Sequence, residues 1–133
     1  MSTTPAAPLH PLPTLGAPFA GGKFAGITTN AAGEHFAFAL LPDLPPGRMN
    51  WHDAMAWAQS VGGDLPTKAE SAVLFETLKG EFEPRWHWTS TQYSANDAYY
   101  QVFDNGSQHG SAKSWSGGSA RAVRRLPINP SVL

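Results

Sequence analysis

Two mainly apolar runs, Lys23–Thr29 and Glu34–Leu41, stand either side of Asn30-Ala31-Ala32-Gly33, and the large side chains of the second recur with period two. This pattern predicts two strands joined by a turn. Phe36, Phe38 and Leu40 share one side of the second strand, which is the expected core face. Pro42, Pro45, Pro46 and Gly47 then stop the sheet. The period next becomes helical: Trp51, Ala54, Met55, Ala58 and Val61 fall on one side, behind an Asn50 N-cap and with Asp53 in the first turn. Gly62-Gly63 closes that helix. Thr67-Lys68-Ala69-Glu70 is a capping box that opens a second helix, with Leu74, Phe75 and Leu78 as its buried stripe and Lys79-Gly80 as its end. Strand patterns return at Trp86–Thr91 and Tyr99–Asp104, then the Asn105-Gly106 hairpin turn, a return strand from Ser107, and a last strand over Ala120–Leu126. Trp51, Met55, Phe75 and Trp88 are expected to be largely buried around one core, with Phe103 beside them.

Two strands, two helices and a run of strands make an α+β layout rather than alternating βαβ units. Residues 1–19 stand apart as an extended arm, because residues 1–18 hold five of the twelve prolines. Leu9, Leu12, Leu15 and Phe19 give this arm apolar anchors suited to docking. Residues 20–133 then form one domain, a usual size for a single core.

The chain has no cysteine, which removes disulfides, thiolate metal sites and cysteine nucleophiles together. A net charge of −1 lacks the basic stripe of a nucleic-acid binder. No apolar run approaches the roughly 20 residues that cross a bilayer, so no membrane insertion is expected. The start also lacks the basic and apolar stretches of a secretory signal. His10, His35, His52, His87 and His109 show no helical metal spacing, and no phosphate loop or nucleophile elbow is present. Asp104-Asn105-Gly106 lacks the remaining ligands of a calcium loop. The expectation is a protein that needs no metal or cofactor and is not an enzyme.

Residues 86–119 differ in composition. They hold three of the five tryptophans, all three tyrosines, seven serines, four glycines and two asparagines, with only Asp97, Asp104 and Lys113 charged. Rigid amphipathic rings among small adaptable hydrogen-bonding groups are the chemistry of binding loops. The candidate ligand-binding residues are Tyr93, Asn96, Tyr99, Asp104, Ser107, His109, Ser111, Ser114 and Trp115. Three basic residues near the end, Arg121, Arg124 and Arg125, cannot share one strand face; they are expected to pair with carboxylates such as Asp64 or Glu70, or to lie over apolar surface.

Asn50-Trp51-His52-Asp53-Ala54-Met55-Ala56-Trp57-Ala58, Gly62-Gly63-Asp64-Leu65-Pro66-Thr67, Trp86-His87-Trp88-Thr89-Ser90-Thr91 and Ala120–Leu126 together resemble a bacterial and prophage C-type lectin-like domain family of unknown function. The resemblance covers about residues 20–127. It implies two helices on a twisted, mostly antiparallel sheet, with long loops carrying the ligand contacts. It is related in fold to phage tropism determinants and retroelement-diversified variable proteins. Glu83-Pro84-Arg85 puts a cation where the calcium lectins carry a carbonyl ligand, and Asn96-Asp97 lacks the preceding Trp of their calcium site. Calcium-dependent sugar binding is therefore not implied. The resemblance implies a phage or prophage binding module, tail-associated, that recognises a protein or glycan on a bacterial surface. Its arm would attach it to other virion proteins. The alternatives are a structural tail or baseplate subunit, or an intracellular phage protein that binds a host factor. The expected location is the virion, or the host cytoplasm before lysis.

Overall fold

The computed structural model describes residues 12–129. Seven strands and two helices follow in the order β1 (Pro18–Phe19), β2 (Gly22–Thr29), β3 (His35–Leu40), α1 (Trp51–Ser60), α2 (Lys68–Thr77), β4 (Trp86–Gln92), β5 (Asp97–Val102), β6 (Gln108–Ala112) and β7 (Val123–Pro127). They form two antiparallel sheets, ordered β1-β2-β3-β7 and β4-β5-β6. The class is α+β, with two helices packed on curled antiparallel sheets.

Both helices begin where local chemistry supplies the missing acceptors. The Asn50 side chain accepts from the Asp53 amide at 2.9 Å. Thr67 Oγ1 accepts from the Glu70 amide, and Glu70 Oε1 accepts from the Thr67 amide, completing the capping box. α1 ends with Gly62 at φ +86°, a left-handed conformation that a glycine adopts without strain. α2 stops at Thr77, and Lys79–Glu81 adds one tight 3-10 turn rather than more α-helix.

Three apolar clusters stand where one core was expected. Trp51, Ala54, Ala58, Leu65, Trp88, Ala98 and Tyr100 pack between α1 and the second sheet. Phe38, Leu40, Leu74, Phe103 and Val123 pack between α2 and the first sheet. Phe24, Ala37 and Ile128 cover the back of that sheet, joined by Leu12 and Phe19. Strand β3 is thus buried on both faces, not on the Phe36/Phe38/Leu40 face alone. Trp51 and Trp88 are buried as expected, whereas Met55 and Phe75 are only half-buried at the cluster margins.

The arm's described end belongs to the sheet. Gly16 donates to the Phe24 carbonyl, the Phe24 amide donates to Ala17, and Pro18–Phe19 pairs with Gly22 and Lys23. Two of the four proposed anchors, Leu12 and Phe19, therefore pack on the chain's own sheet, and Leu15 is exposed. Leu9 and the other residues up to 11 lie outside the described residues.

The expected last strand begins three residues late, at Val123. Residues 118–122 instead form a buried strap between the sheets. Gly118 bridges Met49 and Ser119 bridges His87. Leu41 donates to the Ala122 carbonyl, and Asp64 exchanges bonds with Val123. Gly118 has no side chain because a Cβ there would collide with the Trp88 indole. That indole also donates to the Met49 carbonyl at 2.9 Å.

Of the three late arginines, Arg125 meets both expected carboxylates, Glu70 at 2.8 Å and Asp64 at 3.0 Å. Its hydrogen bond to Glu70 raises its pKa above the ordinary arginine value. Arg121 and Arg124 bind backbone carbonyls: Arg121 those of Glu81 and Leu41, Arg124 those of Gly62 and Ala20. Glu70 is only 2% exposed, so removing Arg125 strands a buried carboxylate. Arg125→Ala is expected to cost about 3–5 kcal/mol in urea unfolding. The same change in a Glu70→Gln background should cost clearly less, because no charge is then left behind. Equal costs in both backgrounds would show that the pair contributes nothing specific.

Candidate functional site

Two tryptophans break the rule that large rings go inside. Trp86 is 38% exposed and Trp115 is 36% exposed. Trp86 opens β4 opposite Val102, and period-two alternation puts it on the same sheet face as Trp88, Tyr100 and His109. Its indole lies flat on the Tyr100 ring, centroids 4.0 Å apart and planes within 8°. Trp115, which follows β6, tilts against Trp86 at 4.8 Å and edges onto the buried Trp88 at 6.0 Å. A Cβ on Gly117 would meet the Trp115 ring, so glycine at 117 lets the ring settle over the strap. His109 sits beside Tyr100 at 5.8 Å between centroids. The outcome is an aromatic platform with a dry underside and a wet upper surface.

Two hollows adjoin the platform and share Arg48 and Arg85 in their walls. The smaller, about 220 Å³, is bounded by these arginines with Trp86, Trp115 and Gly117. The larger, about 640 Å³, continues over Phe82, Glu83, His87 and Arg121 beneath the Leu44–Arg48 loop. Arg121 is buried, and its guanidinium lies 5.2 Å from the Phe82 ring. His87 is buried against Phe82 and Phe103, with Nδ1 2.9 Å from the Arg85 carbonyl oxygen. Burial lowers its pKa from 6.5 to about 4; the Arg121 charge pushes the same way, while the Arg85 hydrogen bond opposes both. The imidazole is therefore neutral at pH 7 and leaves the local charge to the arginines.

The nine residues singled out in the sequence do not form one patch. His109 and Ser111 share the platform's side of the sheet by alternation, and Trp115 is part of the platform itself, whereas Ser107 lies in the turn before β6 with its hydroxyl bonded to Asn105. Tyr99 points to the opposite face, where Lys68 lies 4.0 Å above its ring and Tyr93 packs edge-on at 5.1 Å. Tyr93, at 59% exposed, also covers Gly110 on that face. Asn96 is exposed in the β4–β5 turn, its carbonyl accepting from the Lys113 amide. The ammonium of Lys113 is tucked under this turn, bonded to Gln92 and Ala95 and 4.7 Å from the Trp51 ring. Asp104 is exposed on the β5–β6 turn, and Ser114 is exposed before Trp115.

Sequence reading missed Trp86, Tyr100, Arg48 and Arg85. Trp86 and Trp88 share a side of β4, but the strap and α1 cover only Trp88. Catalytic geometry is sparse. Thr29 Oγ1 and His35 Nδ1 are 2.7 Å apart, but no carboxylate orients the other ring nitrogen among the described residues. No group of three His, Asp or Glu side chains there could hold a metal ion, and no helix there is long and apolar enough to cross a membrane.

The buried His87 carries a pH signature. A depressed folded-state pKa means that the unfolded chain binds the proton first, so stability falls as pH drops from about 6.5 toward 4 and levels below that. The full loss should be about 3 kcal/mol. His87→Phe keeps ring contacts with Phe82 and Phe103 and is expected to flatten the denaturation free energy between pH 6.5 and 5, above most carboxylate titration. An unchanged slope would show that His87 is solvated.

No protein-family model matches this chain, and no curated protein matches it in sequence.

Proposed function

We propose that this domain is a phage or prophage ligand-binding module, tail-associated, that recognises a bacterial surface glycan without calcium or catalysis. The observation that carries the reading is the pair of exposed tryptophans, Trp86 stacked on Tyr100 and Trp115 tilted against Trp86. Large stacked rings left at the surface lose hydrophobic stabilisation that burial would give, and a ligand restores it. The face of an indole is electron-rich, and the C–H face of a pyranose ring is apolar and slightly positive, so the two stack. The likeness to lectin-like domains agrees with this use of strands and late loops. His109 and Ser111 lie on the same side and supply imidazole and hydroxyl groups for sugar hydroxyls. Weak single sites are sufficient when many copies sit on one particle, because linkage raises the effective concentration.

The two tyrosine faces make the test discriminating. Trp86→Ala and Trp115→Ala are each expected to weaken binding of the full chain to arrayed bacterial envelope saccharides at least about tenfold. The melting temperature of Trp86→Ala should stay close to wild type. Tyr93→Ala, on the opposite face, should leave saccharide binding intact. If Tyr93→Ala abolishes binding and Trp86→Ala does not, the ligand occupies the other side of the sheet. Binding should also be the same in chelator and in millimolar calcium.

A further inference from the structure

The described cations divide into two groups. Arg121, Arg124 and Arg125 are committed to backbone carbonyls or buried carboxylates. Lys23 pairs with Glu81, Lys68 and Lys79 sit over aromatic rings, and Lys113 is buried on Gln92 and Ala95. Arg48 is exposed and has no hydrogen-bond, ion-pair or ring partner among the described residues. Arg85 has only a loose ion pair, Nε to Glu83 at 3.6 Å, and this Nε makes no hydrogen bond. These two uncommitted guanidinium groups are the ones that stand between the tryptophan platform and the larger cleft.

That coincidence has an energetic reading. A guanidinium group is a rigid fork of donors that suits an oxyanion, and it forms its strongest bonds with one. Of the two acids in the larger cleft, Glu81 is engaged by Lys23 and Glu83 is mostly solvent-exposed. With His87 neutral, Arg48, Arg85 and Arg121 leave the cleft with a positive balance. The smaller hollow, at about 220 Å³, is below the size of a typical drug-sized pocket and suits a single ring.

Resting on the glycan reading above, we propose that the ligand is an acidic sugar: its ring lies on Trp86 and Trp115, and its carboxylate sits between Arg48 and Arg85. A carboxylate borne directly on a pyranose ring leaves from the ring's edge. It therefore reaches groups that flank the stacking surface, which is where the two arginines are. Neutral sugars satisfy the platform and leave both guanidinium groups unused. The carboxylate thus sets specificity, and the indoles supply the common affinity.

The test uses the full chain on an array of neutral, uronate-containing and sulfated saccharides, with wild type, Arg48→Ala/Arg85→Ala and Trp86→Ala compared. Wild type is expected to retain uronate-containing saccharides over neutral ones of the same backbone. The double arginine variant should lose this preference, with uronate binding down at least about tenfold and an unchanged melting temperature. Binding should also weaken with added salt. Equal retention of neutral saccharides, unaffected in the double variant, would overturn the acidic-sugar assignment and leave the glycan reading standing. Preference for sulfated over uronate saccharides would overturn the carboxylate. Retention of no saccharide class, or retention indifferent to Trp86→Ala, would overturn the glycan reading itself.

Discussion

The strap over Gly118–Ala122 is the constraint on which the rest depends. A buried backbone must satisfy every donor and acceptor, or it costs about as much as the lost bonds. This one bonds through Gly118, Ser119 and Ala122 to segments far apart in sequence. It joins Met49 before α1, β4 at Trp86–Trp88, Leu41 after β3, and then becomes β7 at the edge of the first sheet. The small residues Gly118, Ser119, Ala120 and Ala122 let the strap run against Trp88. Arg121 is the one long side chain, and it closes the strap onto Glu81 and Leu41 through their carbonyls.

Because the strap fixes β4 from its outer side, it also decides which tryptophan is buried. Ser119 exchanges backbone bonds with Trp86 and Trp88, so it runs alongside that strand. Trp88 lies under it with its N–H bonded to Met49, while Trp86 is left at the margin on Tyr100. The proposed platform is thus a by-product of where the strap ends. The arginines beside it come from the loop before α1 and the approach to β4, two segments that the strap brings close.

Local chemistry made the helices and hairpins legible. The Asn50 cap and the Thr67–Glu70 box act within a few residues and stand where read, while the β5–β6 hairpin forms with a longer turn, because β5 already ends at Val102 and β6 starts at Gln108. The Asp64 and Glu70 partners of Arg125 were also legible, because a strand arginine gains most from a carboxylate within reach, here the buried Glu70 and the exposed Asp64. The strap was not legible. Ala120-Arg121-Ala122 has strand-like alternation, but its bonds go to residues about 30 to 80 positions away. The candidate site was half legible for the same reason. Composition marked the segment that holds Trp86, Tyr100 and Trp115, and alternation placed His109 with Ser111, but only tertiary contacts separate the Tyr93/Tyr99 face from the Trp86/Trp115 face.

The strap holds its neighbours chiefly through backbone groups, and this has an evolutionary consequence. Outward side chains on β6 and on the 113–117 loop contribute little to that scaffold, and exposed substitutions of this kind usually change stability by under about 0.5 kcal/mol. Such positions are free to drift while the strap, its glycines and Trp88 stay fixed. Substitutions at these exposed positions can therefore reshape this surface while the backbone bonds that hold the fold stay in place.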